Sequence, residues 1–122
     1  MPTKAEHVRK AEHDETFVSS LDLNSTPYLD WAITALFYSG LHYVEAYFAT
    51  RGIHSADHRT RDSAIYRDIN IRQLYNDYNE LKNHSINARY YAVPFTPADV
   101  GNLQPRLVAI KRHVSPYLAV AP

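Results

Sequence analysis

The sequence has no cysteine, which excludes disulfides and thiolate metal sites and permits a reducing compartment. Glycine occurs only three times, and no glycine-rich phosphate loop is written anywhere in the chain. There is no GxSxG elbow and no HExxH, and Ser39 stands among apolar neighbours. Nucleophilic catalysis therefore has little to build on. No carboxylate pair suggests glycoside chemistry. An excess of either charge is also missing. With 13 basic and 13 acidic residues, the molecule as a whole is no general polyanion binder. The longest apolar segment, around Trp31 to Phe48, is broken by His42 and Glu45 and bounded by Asp30 and Arg51, too polar for a membrane span. The start "MPTKAEHVRKAEHDE" is charged and lacks the apolar core of a signal peptide. A cytoplasmic protein with no membrane partner is expected.

What is present is a foldable chain. Its 122 residues are 45% hydrophobic, which suits one domain, 1–122, around one core. Helix starts are legible. Thr3 with Glu6 and Thr96 with Pro97 and Asp99 have the grammar of capped helix N-termini. Thr26 followed by Pro27 reads the same way. Apolar spacing predicts helices over roughly 3–22, 27–50 and 68–90, a last helix following Thr96, and a short extra helix over roughly 58–66. Pro105 predicts a kink or a late start in the last helix. Gly52 reads as the stop of the second helix. No strand pattern, repeat or domain boundary appears. The expected fold is all-α, an up-and-down bundle of four main helices. The second helix is apolar nearly all round, as a central helix or one with a second face for a partner would be. On that ground, a homodimer is expected.

Charge is unevenly placed. Residues 1–30 carry Lys4, Arg9 and Lys10 against Glu6, Glu12, Asp14, Glu15, Asp22 and Asp30, a net of −3. Residues 51–72 carry Arg51, Arg59, Arg61, Arg67 and Arg72 against Asp57, Asp62 and Asp68, a net of +2. Within that segment "RGIHSADHRTR" collects groups suited to phosphate and to proton exchange. Backbone N–H groups of a helix starting near Ser55 to Asp57 would face an anion, and Arg59 and Arg61 can add charged hydrogen bonds. His54 and His58 titrate near neutrality. The same stretch also reads as a polar connector. His54 and His58 have the i, i+4 spacing of metal ligands, but Gly52 and Ser55 oppose a helix through His54 and only Asp57 offers a third ligand. No metal and no cofactor is expected. Tyr38, His42 and Glu45 share a helix face, where Tyr38 or Glu45 can satisfy His42. The stretch "NELKNHSINARYY" brings His84, Arg89, Tyr90 and Tyr91 to a helix end. There an arginine and tyrosines can stack on a base and hold phosphate, or form a packing corner.

Three of these pieces together resemble a HEPN domain, a small helical family associated with nucleotide and RNA chemistry. They are "AITALFYSGLHYVEAYFATRG", "HSADHRTR" and "LYNDYNELKNHSINARYY", covering residues 31–91. The resemblance implies a four- or five-helix bundle, often dimeric. It implies nucleotide or RNA binding, with a metal-independent ribonuclease of toxin–antitoxin type as one activity. A catalytically silent module paired with a nucleotidyltransferase-like protein is the alternative. Active members carry Arg, then four to six intervening residues, then His. Arg51 with His58 fits that spacing, as does Arg106 with His113. Gly52 and Leu107 stand where the family has a polar residue. By the resemblance Arg51 would hold phosphate and His58 would move a proton. His54, Arg59, Arg61, His84, Arg89 and Tyr91 complete the expected nucleotide or RNA site. Bundle geometry further predicts that His58, Arg59 and Arg89 converge at one pocket with Tyr91 at its edge.

Overall fold

A computed structural model describes residues 2–119. The chain is all-helical, with no strand among the described residues. It runs α1 (Lys4–Ser19), α2 (Leu29–Ala49), α3 (His58–Arg67), a 3₁₀ turn (Arg72–Leu74), α4 (Tyr75–Tyr90) and α5 (Pro97–Leu118). None of the described helices is long and apolar enough to cross a membrane.

Two starts are set by reciprocal caps. The Thr3 hydroxyl accepts from the Glu6 N–H at 3.1 Å, and the Glu6 carboxylate accepts from the Thr3 N–H at 3.0 Å. Thr96 and Asp99 repeat the exchange at 3.3 and 2.8 Å. Each exchange satisfies donors that a helix end would leave orphaned. The start expected at Thr26 is corrected. Thr26 sits in a turn in which the N–H groups of Ser25 and Thr26 both donate to the Asp22 carbonyl. Its hydroxyl then accepts from Tyr28, only two residues on. That local closure competes with an N-cap, so Tyr28 becomes the cap residue and α2 begins at Leu29. Helix α1 ends at Ser19, short of 22. The Ser20 hydroxyl donates to the Phe17 carbonyl at 2.6 Å and turns the chain there.

Asp68 does not open a long helix either. Its carboxylate accepts from the Asn70 N–H and from the Tyr47 hydroxyl, both at 2.8 Å. This clips a loop and a 3₁₀ turn ahead of α4. Gly52 stops α2 with φ +70°, a conformation that costs glycine nothing. Pro105 lies inside a continuous α5. It removes one donor, and the carbonyl freed one turn back belongs to the exposed Gly101.

Helix α2 is the centre, packed against α1, α4 and α5. Ile33, Phe37, Val44, Tyr47 and Phe48 are fully buried along it, each burial contributing roughly 1.5–3 kcal/mol. At Gly40 an added Cβ would lie 3.2 Å from Ile110 and 3.4 Å from Leu81, so the missing side chain is what lets α4 and α5 close on α2. Most of the all-round apolar surface of α2 is thus covered within one chain. Its stretch from Trp31 to His42 stays partly open, and at the entry Tyr28 and Trp31 are more than half exposed.

Candidate functional site

The start of α3 lies against the middle of α2. Asp57 caps α3 by accepting from the Thr60 N–H at 2.8 Å. The next residue, His58, places its ring 5.8 Å from that of Phe37. One turn on, Arg61 is buried. Its Nε donates to Glu45 Oε1 at 2.5 Å, and its Nη1 reaches His58 Nδ1 at 3.3 Å and the Tyr78 hydroxyl at 3.5 Å. Lys82 of α4 pairs with Asp62 of α3 and ties the two helices.

From the last turn of α4, Arg89 approaches the same Phe37 ring, its guanidinium carbon 5.9 Å from the centroid. It lies 5.3 Å from the Tyr38 ring and 5.0 Å from the Tyr90 ring. Its Nη1 donates to the Tyr38 hydroxyl at 2.9 Å and its Nε to the Ser85 hydroxyl at 3.0 Å. A cation here also favours the negative end of the α4 dipole.

The electrostatics follow from the packing. Burial and the positive charges of Arg61, Lys82 and Arg89 hold the His58 imidazole below its ordinary pKa, with Asp62 alone opposing. Burial pushes the Tyr78 hydroxyl up to about 12, against the pull of Arg61. The neighbourhood is thus net positive around a neutral histidine, a setting that favours an anion.

The expected site residues separate into groups. His58 and Arg89 come together around Phe37. Arg61 is close by, but it faces inward to Glu45, so it is corrected from a solvent-facing phosphate ligand to a buried partner of His58. Arg51 lies beyond the end of α2, stacked 5.1 Å from the Tyr47 ring. Phe37, which His58 approaches, and Tyr47 are ten residues apart on α2, roughly 15 Å of helix. The pair Arg51 and His58 is therefore not assembled. Arg106 pairs with Asp77 at 3.2 Å, and no contact joins it to His113. His54 lies on the exposed connector, near enough to His7 of α1 for its charge to lower that pKa. His84 is tied to its own helix, Nδ1 donating to the Glu80 carbonyl at 2.8 Å. Arg59 and Tyr91 are exposed, and no side-chain contact brings either to His58 or Arg89. The aromatic places beside Arg89 go to Tyr38 and Tyr90.

His42 finds a partner that its own helix does not supply. Its Nδ1 lies 3.0 Å from His7 Nδ1 of α1, with the rings 5.3 Å apart. Tyr38 and Glu45 are taken by Arg89 and Arg61. Phe37, Tyr78 and Lys82, read as core or left unremarked in the sequence, belong to the site. The signal that finds them is spacing. Tyr78, Lys82, Ser85 and Arg89 stand on one face of α4, and His58, Arg61 and Asp62 on one face of α3.

Two hollows adjoin. One, of about 330 Å³, is lined by Asp30, Trp31, Thr34, Ala88, Arg89 and Tyr90. A wider groove of about 770 Å³ between α1 and α2 has Phe17, Tyr28, Trp31, Tyr38 and His42 in its wall. The two share Trp31 and Thr34, and Tyr38 joins the groove to Arg89. Neither is lined by His58, so the hollow beside Arg89 is not the single pocket expected. Among the described residues no three His, Asp or Glu side chains gather to hold a metal. No protein-family model, curated protein or solved structure matches the chain.

Proposed function

We propose that the chain is a HEPN-like nucleotide- or RNA-binding protein, an up-and-down helical bundle working in the cytoplasm. Phosphate is taken at His58 and Arg89, and a base stacks on the aromatic side chains beside Arg89. The observation that carries the reading is that His58 and Arg89 both approach the Phe37 ring, at 5.8 and 5.9 Å from its centroid, in a net positive setting. Trp31, Tyr38 and Tyr90 supply π-faces within reach of the same arginine, the combination that single-stranded nucleic acid uses. Ribonuclease activity built on Arg51 with His58 is the weaker part of the expectation, because those side chains stand apart.

The chain's only tryptophan, Trp31, is 57% exposed and lines both hollows, so its emission reports directly on this surface. Titration with adenosine monophosphate and with a short single-stranded RNA is expected to quench it saturably. Arg89→Gln should weaken binding roughly 10-fold or more, since a charged hydrogen bond contributes about 1.5–3 kcal/mol. Arg51→Gln should leave it unchanged. No quenching by either ligand, or equal binding by Arg89→Gln, contradicts the reading.

A second reading, a silent module that pairs with a nucleotidyltransferase-like protein or a second copy, is favoured by the exposed aromatic side chains Phe17, Tyr28 and Trp31 around the groove. Sedimentation of the pure protein separates its homodimer form. A monomer at tens of micromolar removes it.

A further inference from the structure

The His58 ring is held at one nitrogen, and by a group that cannot accept a proton. Arg61 Nη1 stands 3.3 Å from His58 Nδ1. A guanidinium carries donors only and stays charged in proteins. Nδ1 must therefore accept, with its lone pair toward Arg61 and no proton of its own. A neutral imidazole has one N–H, so that hydrogen is on Nε2. Arg61 is not free to turn away. Its Nε is bonded to Glu45 at 2.5 Å, with the two side chains only 10% and 7% exposed, and parting such a pair leaves a buried charge alone.

We propose that the buried Arg61–Glu45 pair fixes His58 as a neutral donor through Nε2–H, so that the site binds a phosphate-type anion without exchanging a proton with it. The ligand class rests on the reading of His58 and Arg89 as a phosphate site. The fixed tautomer stands on the Arg61 contact alone. For His58 to act as a base through Nε2, its proton would have to move to Nδ1, directly against an Arg61 N–H. For it to act as an acid from the neutral state, it would have to leave as an imidazolate, among the least accessible forms of the side chain. Donation to an anionic oxygen needs neither. Charges around the ring agree. Arg61 and Asp62 face it from its own helix, Lys82 and Arg89 from α4, and the uncharged Phe37 ring from α2. With Arg61 paired to Glu45 and Lys82 to Asp62, the cluster holds three cations against two carboxylates, and the excess charge is that of Arg89, which opposes an imidazolium and attracts an anion. Arg61 is thus a positioning residue, and the ribonuclease role implied for His58 is replaced by binding.

The tautomer is measured on the ligand-free full chain by long-range ¹H–¹⁵N correlation of the imidazoles. His58 is expected as the Nε2–H form at neutral pH, with a titration midpoint below the ordinary 6.5. An Nδ1–H form in the native chain overturns the proposal. In Arg61→Met/Glu45→Leu, which removes both charges and fills the space with apolar side chains, the midpoint should rise and both tautomers should appear. A folded double variant with the native midpoint and tautomer also overturns it. If that variant does not fold, the native tautomer still decides. Binding of a diribonucleotide, followed by calorimetry in two buffers of different ionisation enthalpy, should show no proton uptake at about pH 7.5, and the RNA should stay intact in EDTA. Uptake of a proton, or cleavage lost in His58→Ala, contradicts the donor role. Absence of any diribonucleotide binding, with the Nε2–H tautomer confirmed, would instead sink the phosphate reading and leave the tautomer assignment standing.

Discussion

Two histidine clusters lie along α2, and they are held in opposite ways. Toward α1, His42 meets His7, and each imidazole can donate or accept. Toward α3, His58 meets Arg61, which can only donate. In both, burial is the largest cause holding the imidazole pKa down. Beyond burial the causes diverge. His42 feels chiefly its partner His7, whereas His58 feels three fixed cations. A pair of histidines can share or swap its proton. A histidine against a buried arginine cannot. The first arrangement ties two helices together and takes up acid as a weakness. The second spends a buried ion pair on one imidazole's orientation, which makes sense where the other edge of that ring meets a ligand.

The contrast breaks most easily at Arg61. Arg61→Met alone strands Glu45 in the interior and should cost about 3–5 kcal/mol in urea unfolding. Adding Glu45→Leu should recover most of it, because the uncompensated charge is gone. No comparable rescue exists on the α1 side, where neither group carries a fixed charge.

A smaller effect separates the clusters by pH. The folded chain keeps His7, His42 and His58 neutral below the ordinary 6.5, whereas the unfolded chain protonates there. Stability is therefore fully present above about 6.5 and falls as pH drops through the lowered folded-state values. The urea midpoint should decrease between about pH 7.5 and pH 5.5. His42→Gln should flatten that slope, since an amide can pair with His7 and does not titrate. An unchanged slope in His42→Gln would move the acid sensitivity to His58.

Thr96→Ala should cost about 1 kcal/mol through the lost cap of α5, with ligand binding untouched, as a control far from both clusters in sequence. Smallest of all, Arg59→Ala and Tyr91→Ala should shift stability by less than about 0.5 kcal/mol and leave Trp31 quenching as it is. Both side chains are exposed and free of contact with His58 and Arg89.

How much of this was legible follows from distance along the chain. The caps at Thr3 and Thr96 need only residues three apart, and the sequence shows them. Thr26 carries the same signal, but the Asp22 turn just before it claims the local hydrogen bonds, and a cap rule that looks forward does not see backward. That His58 and Arg89 can meet follows from connected helices in a bundle. That Arg61 turns inward does not, because its partner Glu45 lies sixteen residues earlier on another helix. Likewise, His42 looks toward Tyr38 and Glu45 on its own face until α1 brings His7 across thirty-five residues. Arg51 and His58 show the converse: a spacing that fits a motif in the sequence, parted by a connector that runs back along α2.

The most direct test of the account is a titration of the isotopically labelled chain with adenosine monophosphate at about pH 7.5. It follows the His58 imidazole nitrogens and the Arg89 Nε together, with the His113 nitrogens on α5 as the internal control. The account predicts that His58 Nε2 and Arg89 Nε shift along one saturating curve, while His58 stays neutral and His113 does not move. A still His58, or His58 and Arg89 following different curves, would contradict it.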